Sequence, residues 1–129
     1  MPVTKDAPPA EDPLIQHALL GEAVDTGPAA IFVLGEERRF VAVNDTACRM
    51  LGYTRGELLG ADPVELVPTA SRFEERMTEL ARTGTLVGSG DMRRKDGKAV
   101  GITYRSSETT VAGMRFWITV AFPDEPDAA

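Results

Sequence analysis

Between Asn44 and Gly84 the chain starts and stops a helix every few residues, and this rhythm sets the fold class. Asn44 can cap a helix over Asp45–Leu51, in which Ala47, Met50 and Leu51 share one face at spacings of three and four. Gly52 stops it. Thr54-Arg55-Gly56-Glu57 is a capping box, with Thr54 as the cap and Glu57 reaching back, and Leu58-Leu59-Gly60 closes the short helix that follows. Another helical turn fits Pro63–Val67. A longer amphipathic helix fits Ser71–Arg82, with Phe73, Met77 and Leu80 on one face and Glu74, Glu75, Arg76 and Glu79 largely opposite.

Strand-like runs flank this block. Ala29–Leu34 and Phe40–Val43 form a hairpin across Gly35-Glu36-Glu37. Three more follow: Thr85–Arg93, Lys98–Ser107 and Met114–Phe122. Asp96-Gly97 is a hairpin turn, and Val111–Gly113 turns the chain again. Gly88 and Gly90 interrupt the third run and mark a bulge or a close backbone approach. Strands separated by a helical block predict an α+β domain on a five-stranded antiparallel sheet with short helices on one face. The last strand is apolar on both sides, so it should be central and covered on both. Its second cover would be an N-terminal helix over Leu14–Thr26, ended by Gly27-Pro28, or a partner chain. The expected division is a disordered tail over 1–13, the N-terminal helix over 14–27, the main domain over 28–122 and a second disordered tail over 123–129.

Composition narrows the function. A chain of 129 residues makes one domain. A net charge of −6 argues against nucleic acid, because phosphate binding needs clustered cations. The densest basic run, Arg93-Arg94-Lys95, lies beside Asp91 and Asp96. Cys48 is the single cysteine, so neither an internal disulfide nor a zinc site of several thiolates can form. That fits a reducing cytoplasm. No apolar run is long enough for a membrane span, and Met1–Pro13 lacks the order of a signal peptide. The expectation is a cytoplasmic protein that binds neither membrane nor nucleic acid.

Two runs resemble the PAS family. Asn44–Gly60, NDTACRMLGYTRGELLG, is similar to its signature, and Arg93–Ser107, RRKDGKAVGITYRSS, is similar to its Lys-Asp-Gly hairpin. Element order and length agree over about Ala29–Phe122. The resemblance implies a five-stranded antiparallel sheet that encloses a pocket with its helices. It implies a sensor of small molecules, light or redox state, or a dimerisation module, coupled to a signalling partner. Two stretches depart from the pattern. LVPTASRF stands where many members carry His-Pro-Asp-Asp, and AFPDEPDAA stands where many carry Asp-Ile-Thr leading to a coupling helix.

In such a fold, alternation assigns Ile31, Val33, Val43, Ile102, Tyr104, Ile118 and Val120 to the pocket, and the helices add Ala47, Leu51, Tyr53, Leu66, Phe73 and Met77. The lining is mostly aliphatic, with Tyr53, Tyr104 and Ser106 as polar contacts, which favours a hydrophobic or weakly polar ligand. Trp117 and Thr119 are expected on the opposite face, covered by Leu14, Ala18 and Leu19 and forming a homodimer interface anchored by the indole. The other expectation is a ligand-free dimerisation module, or contact with a signalling partner protein.

No cofactor is assigned. Non-covalent flavin or haem lacks a ligand motif: Cys48 is outside any flavin-adduct run, Ser71–Arg82 contains no histidine, and His17 is in the N-terminal helix. Cys48 reads as an inert core thiol. A thioester chromophore would need a cysteine near Thr69 and Ala70, where none exists. An enzyme of the cone-shaped isomerase type would need a buried acid or histidine. The inward-facing set holds no Asp, Glu or His, so no catalytic residue and no metal ligand is expected.

Overall fold

The structure, a computed structural model, describes residues 12–67 and 70–124. The expected tails therefore lie largely outside the described residues, and their inner ends need correction. Asp12 accepts from the Leu14 N–H and caps helix α1 (Pro13–Thr26), with Pro13 in the first turn, where its missing N–H costs nothing. At the other end, Pro123 still belongs to a strand and the Asp124 N–H donates to the Gly101 carbonyl.

The remaining elements are β1 (Ala30–Leu34), β2 (Phe40–Val43), α2 (Asp45–Leu51), α3 (Arg55–Leu58), a 3-10 turn at Pro63–Leu66, α4 (Ala70–Thr83), β3 (Thr85–Arg93), β4 (Ala99–Val111) and β5 (Met114–Pro123). The strands form one antiparallel sheet in the order β2-β1-β5-β4-β3, so β5 is central, as its two apolar faces require. β4 runs four residues beyond its expected end, up to the Ala112-Gly113 turn. Both turn residues have positive φ, at 52° and 77°, the geometry of a two-residue hairpin whose twist matches its strands.

The sequence signals for the short helices correspond to real caps. Asn44 Oδ1 accepts from the Ala47 N–H, and Gly52 ends α2 at φ 79°. Thr54 and Glu57 exchange both bonds of the capping box. The two family-like runs also meet in space. The Lys95 N–H donates to the Leu51 carbonyl, Arg94 Nη1 donates to the Met50 carbonyl, and Lys95 Nζ lies 2.6 Å from Glu57 Oε2.

Asn44 does more than cap. Its Oδ1 also accepts from the Ile31 N–H, and its Nδ2 donates to the carbonyls of Val24 and Ala29. It is buried, so one side chain ties α1, β1 and α2 together. Asp25 reinforces this corner by accepting from the Asp45 N–H and pairing with Arg55, which also pairs with Asp45.

α1 does not cover the outer face of the sheet. None of its residues is buried, and the element it packs against most is α2. Leu14, Leu19 and Leu20 are 80%, 58% and 62% exposed, and Ala18 is exposed as well. The apolar content of α1 is spread around its circumference, so it has no single stripe to lay on the sheet.

Candidate functional site: a cavity between sheet and helices

Cross-strand register decides which side chains point toward the helices. Val111 pairs with Met114 across the turn, so Ser106 faces Thr119 and Tyr104 faces Ala121. Phe32 in turn faces Thr119, and Leu34 faces Trp117. One inner face therefore carries Phe32, Leu34, Trp117, Thr119, Ile102, Tyr104 and Ser106. These side chains wall a half-open cavity of about 120 Å³, bordered on the helical side by Pro63, Val67, Phe73, Arg76, Met77 and Leu80. Phe40, Leu86, Gly90, Asp91 and Met92 complete the lining.

Of the expected pocket residues, Phe73, Met77, Ile102 and Tyr104 line this cavity. Ile31, Val33, Ile118 and Val120 do not. Ile31 pairs with Val120 and Val33 with Ile118, so all four share the outer face. Trp117 and Thr119, expected outside as an interface, stand in the cavity wall. Leu14, Ala18 and Leu19 accordingly do not cover the indole. β1 is apolar throughout and β5 is apolar near its centre except at Thr119, and a two-residue period has little phase when both faces are oily. Val43, Ala47, Leu51 and Leu66 are buried core residues beside the cavity and not in its wall. Tyr53 is half-buried at the edge, with Lys95 Nζ 5.9 Å from its ring centre.

The polar inventory of the wall is small. The Ser106 and Thr119 hydroxyls satisfy each other at 2.7 Å. Arg76 reaches back from α4, with its guanidinium carbon 5.4 Å from the Tyr104 ring centre and Nη2 donating to the Ser89 carbonyl. Helical periodicity had set Arg76 on the solvent side, but its long stem brings the charge to the sheet. The Tyr104 hydroxyl and Trp117 Nε1 are buried and have no hydrogen-bond partner among the described residues. Burial pushes the Tyr104 phenol above its ordinary value, against Arg76 and Arg72, which pull it down. The hydroxyl therefore keeps its proton at neutral pH.

Gly88 and Gly90 mark close approach and not a bulge, since β3 and β4 pair without interruption from Thr85–Ser107 to Arg93–Ala99. A Cβ on Gly88 would sit 2.7 Å from the Tyr104 hydroxyl oxygen, and one on Gly90 would sit 3.0 Å from Arg76 Nη1. The two glycines make room for the tyrosine and the arginine.

Burial also raises the Cys48 thiol, with Arg55 opposing, so it is not poised as a thiolate. Cys48 lies outside the cavity wall. Among the described residues no three His, Cys, Asp or Glu side chains stand close enough to hold a metal ion, and no helix is long and apolar enough to cross a membrane. A volume of about 120 Å³ is below the roughly 300 Å³ where drug-sized pockets begin, so the walls as they stand do not fit flavin or haem.

The profile of the PAS fold matches residues 19–119. Among solved structures, a PAS domain from a two-component sensor histidine kinase superposes with a TM-score of 0.75 at 18% identity, over 88% of this chain and all of that one. A PAS domain from Colwellia psychrerythraea gives 0.75 at 20% identity, over 87% and 97% of the two chains. The PAS domain of an HTR-like protein from Haloarcula marismortui gives 0.74 at 20% identity, over 88% and 97%. No curated protein matches the chain.

Proposed function

The chain belongs to the PAS fold family, and from that premise we propose that it is a sensory module whose core cavity takes a small, mostly apolar ligand and whose outer surfaces pass the state of the cavity to another protein. PAS domains are sensory modules rather than catalysts. One observation carries the ligand reading: a largely apolar, half-open hollow of about 120 Å³ lies between the sheet and the helices, and two residues of its wall, Tyr104 and Trp117, carry buried polar atoms with no hydrogen-bond partner among the described residues. Well-packed interiors contain few voids larger than a water molecule. An engineered apolar cavity of roughly 150 Å³ accepts benzene or xenon, so this space suits a ring-sized molecule. The single cysteine and acidic charge fit a cytoplasmic setting.

Gentle purification followed by native mass spectrometry tests the reading. The expected result is a species heavier than the polypeptide by the mass of one small molecule, lost on denaturation. A mass equal to that of the polypeptide alone, together with no xenon uptake by the core, removes it.

A second reading, a ligand-free interaction module, draws on the outer face of the sheet. Val87, Val111, Met114 and Phe122 are 64%, 58%, 49% and 50% exposed, beside the half-buried Ile31, Val33, Ile118 and Val120. A face this apolar suits protein contact, with a second copy of the chain or a signalling partner. That reading predicts an empty mass spectrum and a core that stays closed to xenon.

A further inference from the structure

We infer that the ligand of this cavity carries a hydrogen-bond-accepting oxygen, a carbonyl being the simplest case, on an otherwise apolar body about the size of a five- or six-membered ring. The inference rests on the cavity reading above and adds the chemistry of the occupant. Tyr104 and Trp117 are each only 9% exposed, both line the cavity, and neither hydroxyl nor indole nitrogen has a partner among the described residues. The indole N–H can only donate, and the phenol holds its proton at neutral pH. A buried donor left unpaired costs about 1–3 kcal/mol, so an acceptor delivered to it contributes more here than in water. The other polar side chains on the inner face each have one partner already. Ser106 and Thr119 bond each other, and Arg76 gives Nη2 to Ser89 from a half-exposed position. Asp91 is in the lining, but it pairs with Gly101 and its Oδ1 lies 3.5 Å from where a Cβ on Gly101 would sit, so its exposed carboxylate is on the outer face. The inner-face partners of Tyr104 and Ile102 on β3 are Gly88 and Gly90. The two deep groups are neutral, and the cation in the wall, Arg76, is half-exposed and already bonded to the Ser89 carbonyl, so an uncharged acceptor suits the buried donors best.

Cyclopentanone and methylenecyclopentane share one shape and differ in an exocyclic oxygen against CH2. Their affinities are to be measured by titration monitored in the protein's NMR spectrum, for the wild type, Tyr104→Phe and Trp117→Phe. The expected result is a ketone-to-hydrocarbon affinity ratio that falls about three- to tenfold in the variant that lacks the donor the oxygen meets, the worth of one hydrogen bond. Tyr104→Phe should keep the wild-type melting temperature, because its hydroxyl has no partner among the described residues to lose. Trp117→Phe removes packing, so a readout in the wild type stands beside it: the ketone should shift the Trp117 indole N–H downfield and the hydrocarbon should not. If both compounds bind but the ratio is unchanged in Tyr104→Phe and the indole N–H does not distinguish them, the acceptor inference is overturned while the cavity reading survives. If neither compound binds, both fall.

Discussion

Asn44→Ala is expected to lower stability by about 3–5 kcal/mol, a large part of the roughly 5–15 kcal/mol available to a domain of this size. The side chain is 4% exposed and bonded to four backbone groups: the N–H groups of Ile31 and Ala47 and the carbonyls of Val24 and Ala29. Alanine strands all four where water reaches poorly, and each unsatisfied buried group costs on the order of 1–3 kcal/mol before relaxation. The informative comparison is Asn44→Asp. Asparagine and aspartate cap helices about equally well, so a pure capping role predicts near wild-type stability for aspartate. In the junction seen here, aspartate would turn an oxygen toward the Val24 and Ala29 carbonyls. Its predicted loss is therefore of the same order as that of alanine. Urea denaturation checks this: a midpoint near wild type for Asn44→Asp would reduce Asn44 to a cap.

Gly88→Ala is expected to weaken ligand binding at least about tenfold, or about 1.4 kcal/mol, while the domain stays folded. The added methyl would lie 2.7 Å from the Tyr104 hydroxyl oxygen and 3.0 Å from Cζ, so the ring has to move. The sheet blocks one side, and the space beside the ring is the cavity. The protein's own tyrosine thus partly fills the site. The overpacking should cost stability about 1–3 kcal/mol. Gly21→Ala in α1, where nothing lies within 4 Å of the new methyl, is the control and should leave binding unchanged. Benzene titrations of the three proteins check this. Equal benzene affinities in the wild type and Gly88→Ala would mean that Tyr104 does not border the space a ligand uses.

The fold was legible where local chemistry is specific. The capping box at Thr54, the stop at Gly52 and the Asp96-Gly97 turn are short-range signals, and each names its own geometry. The central place of β5 also followed from its apolar run, but the expected cover on both faces did not: Trp117 lies in the buried wall, while Ile118 and Val120 on the outer face are only half-buried. The phase of β1 and β5 did not follow, and with it went half of the cavity wall. Phe116, Ile118 and Val120 look like an inward set, but Trp117 and Thr119 are apolar enough to exchange places with them. The hairpin turn held the missing information. With β4 phased by Ile102 and Tyr104, a two-residue turn at Ala112-Gly113 places Thr119 beside Ser106 on the inner face. Arg76 was missed for a different reason: periodicity places a Cα on a helix face, whereas a guanidinium reaches several ångströms from it. Gly88 and Gly90 stand out in the strand, but the reason is non-local: they yield space to Tyr104 and Arg76, which come from another strand and a helix.

Trp117 is the only tryptophan in the chain, so its indole N–H gives a single NMR resonance from inside the cavity wall. Titration of the isotope-labelled domain with benzene tests most directly whether the core is a binding site. The account predicts a saturable ring-current shift of that resonance, accompanied by the backbone signals of Phe32, Ile102 and Tyr104. An indole signal that stays fixed, with shifts confined to outer-face residues such as Val87 and Phe122, would contradict it.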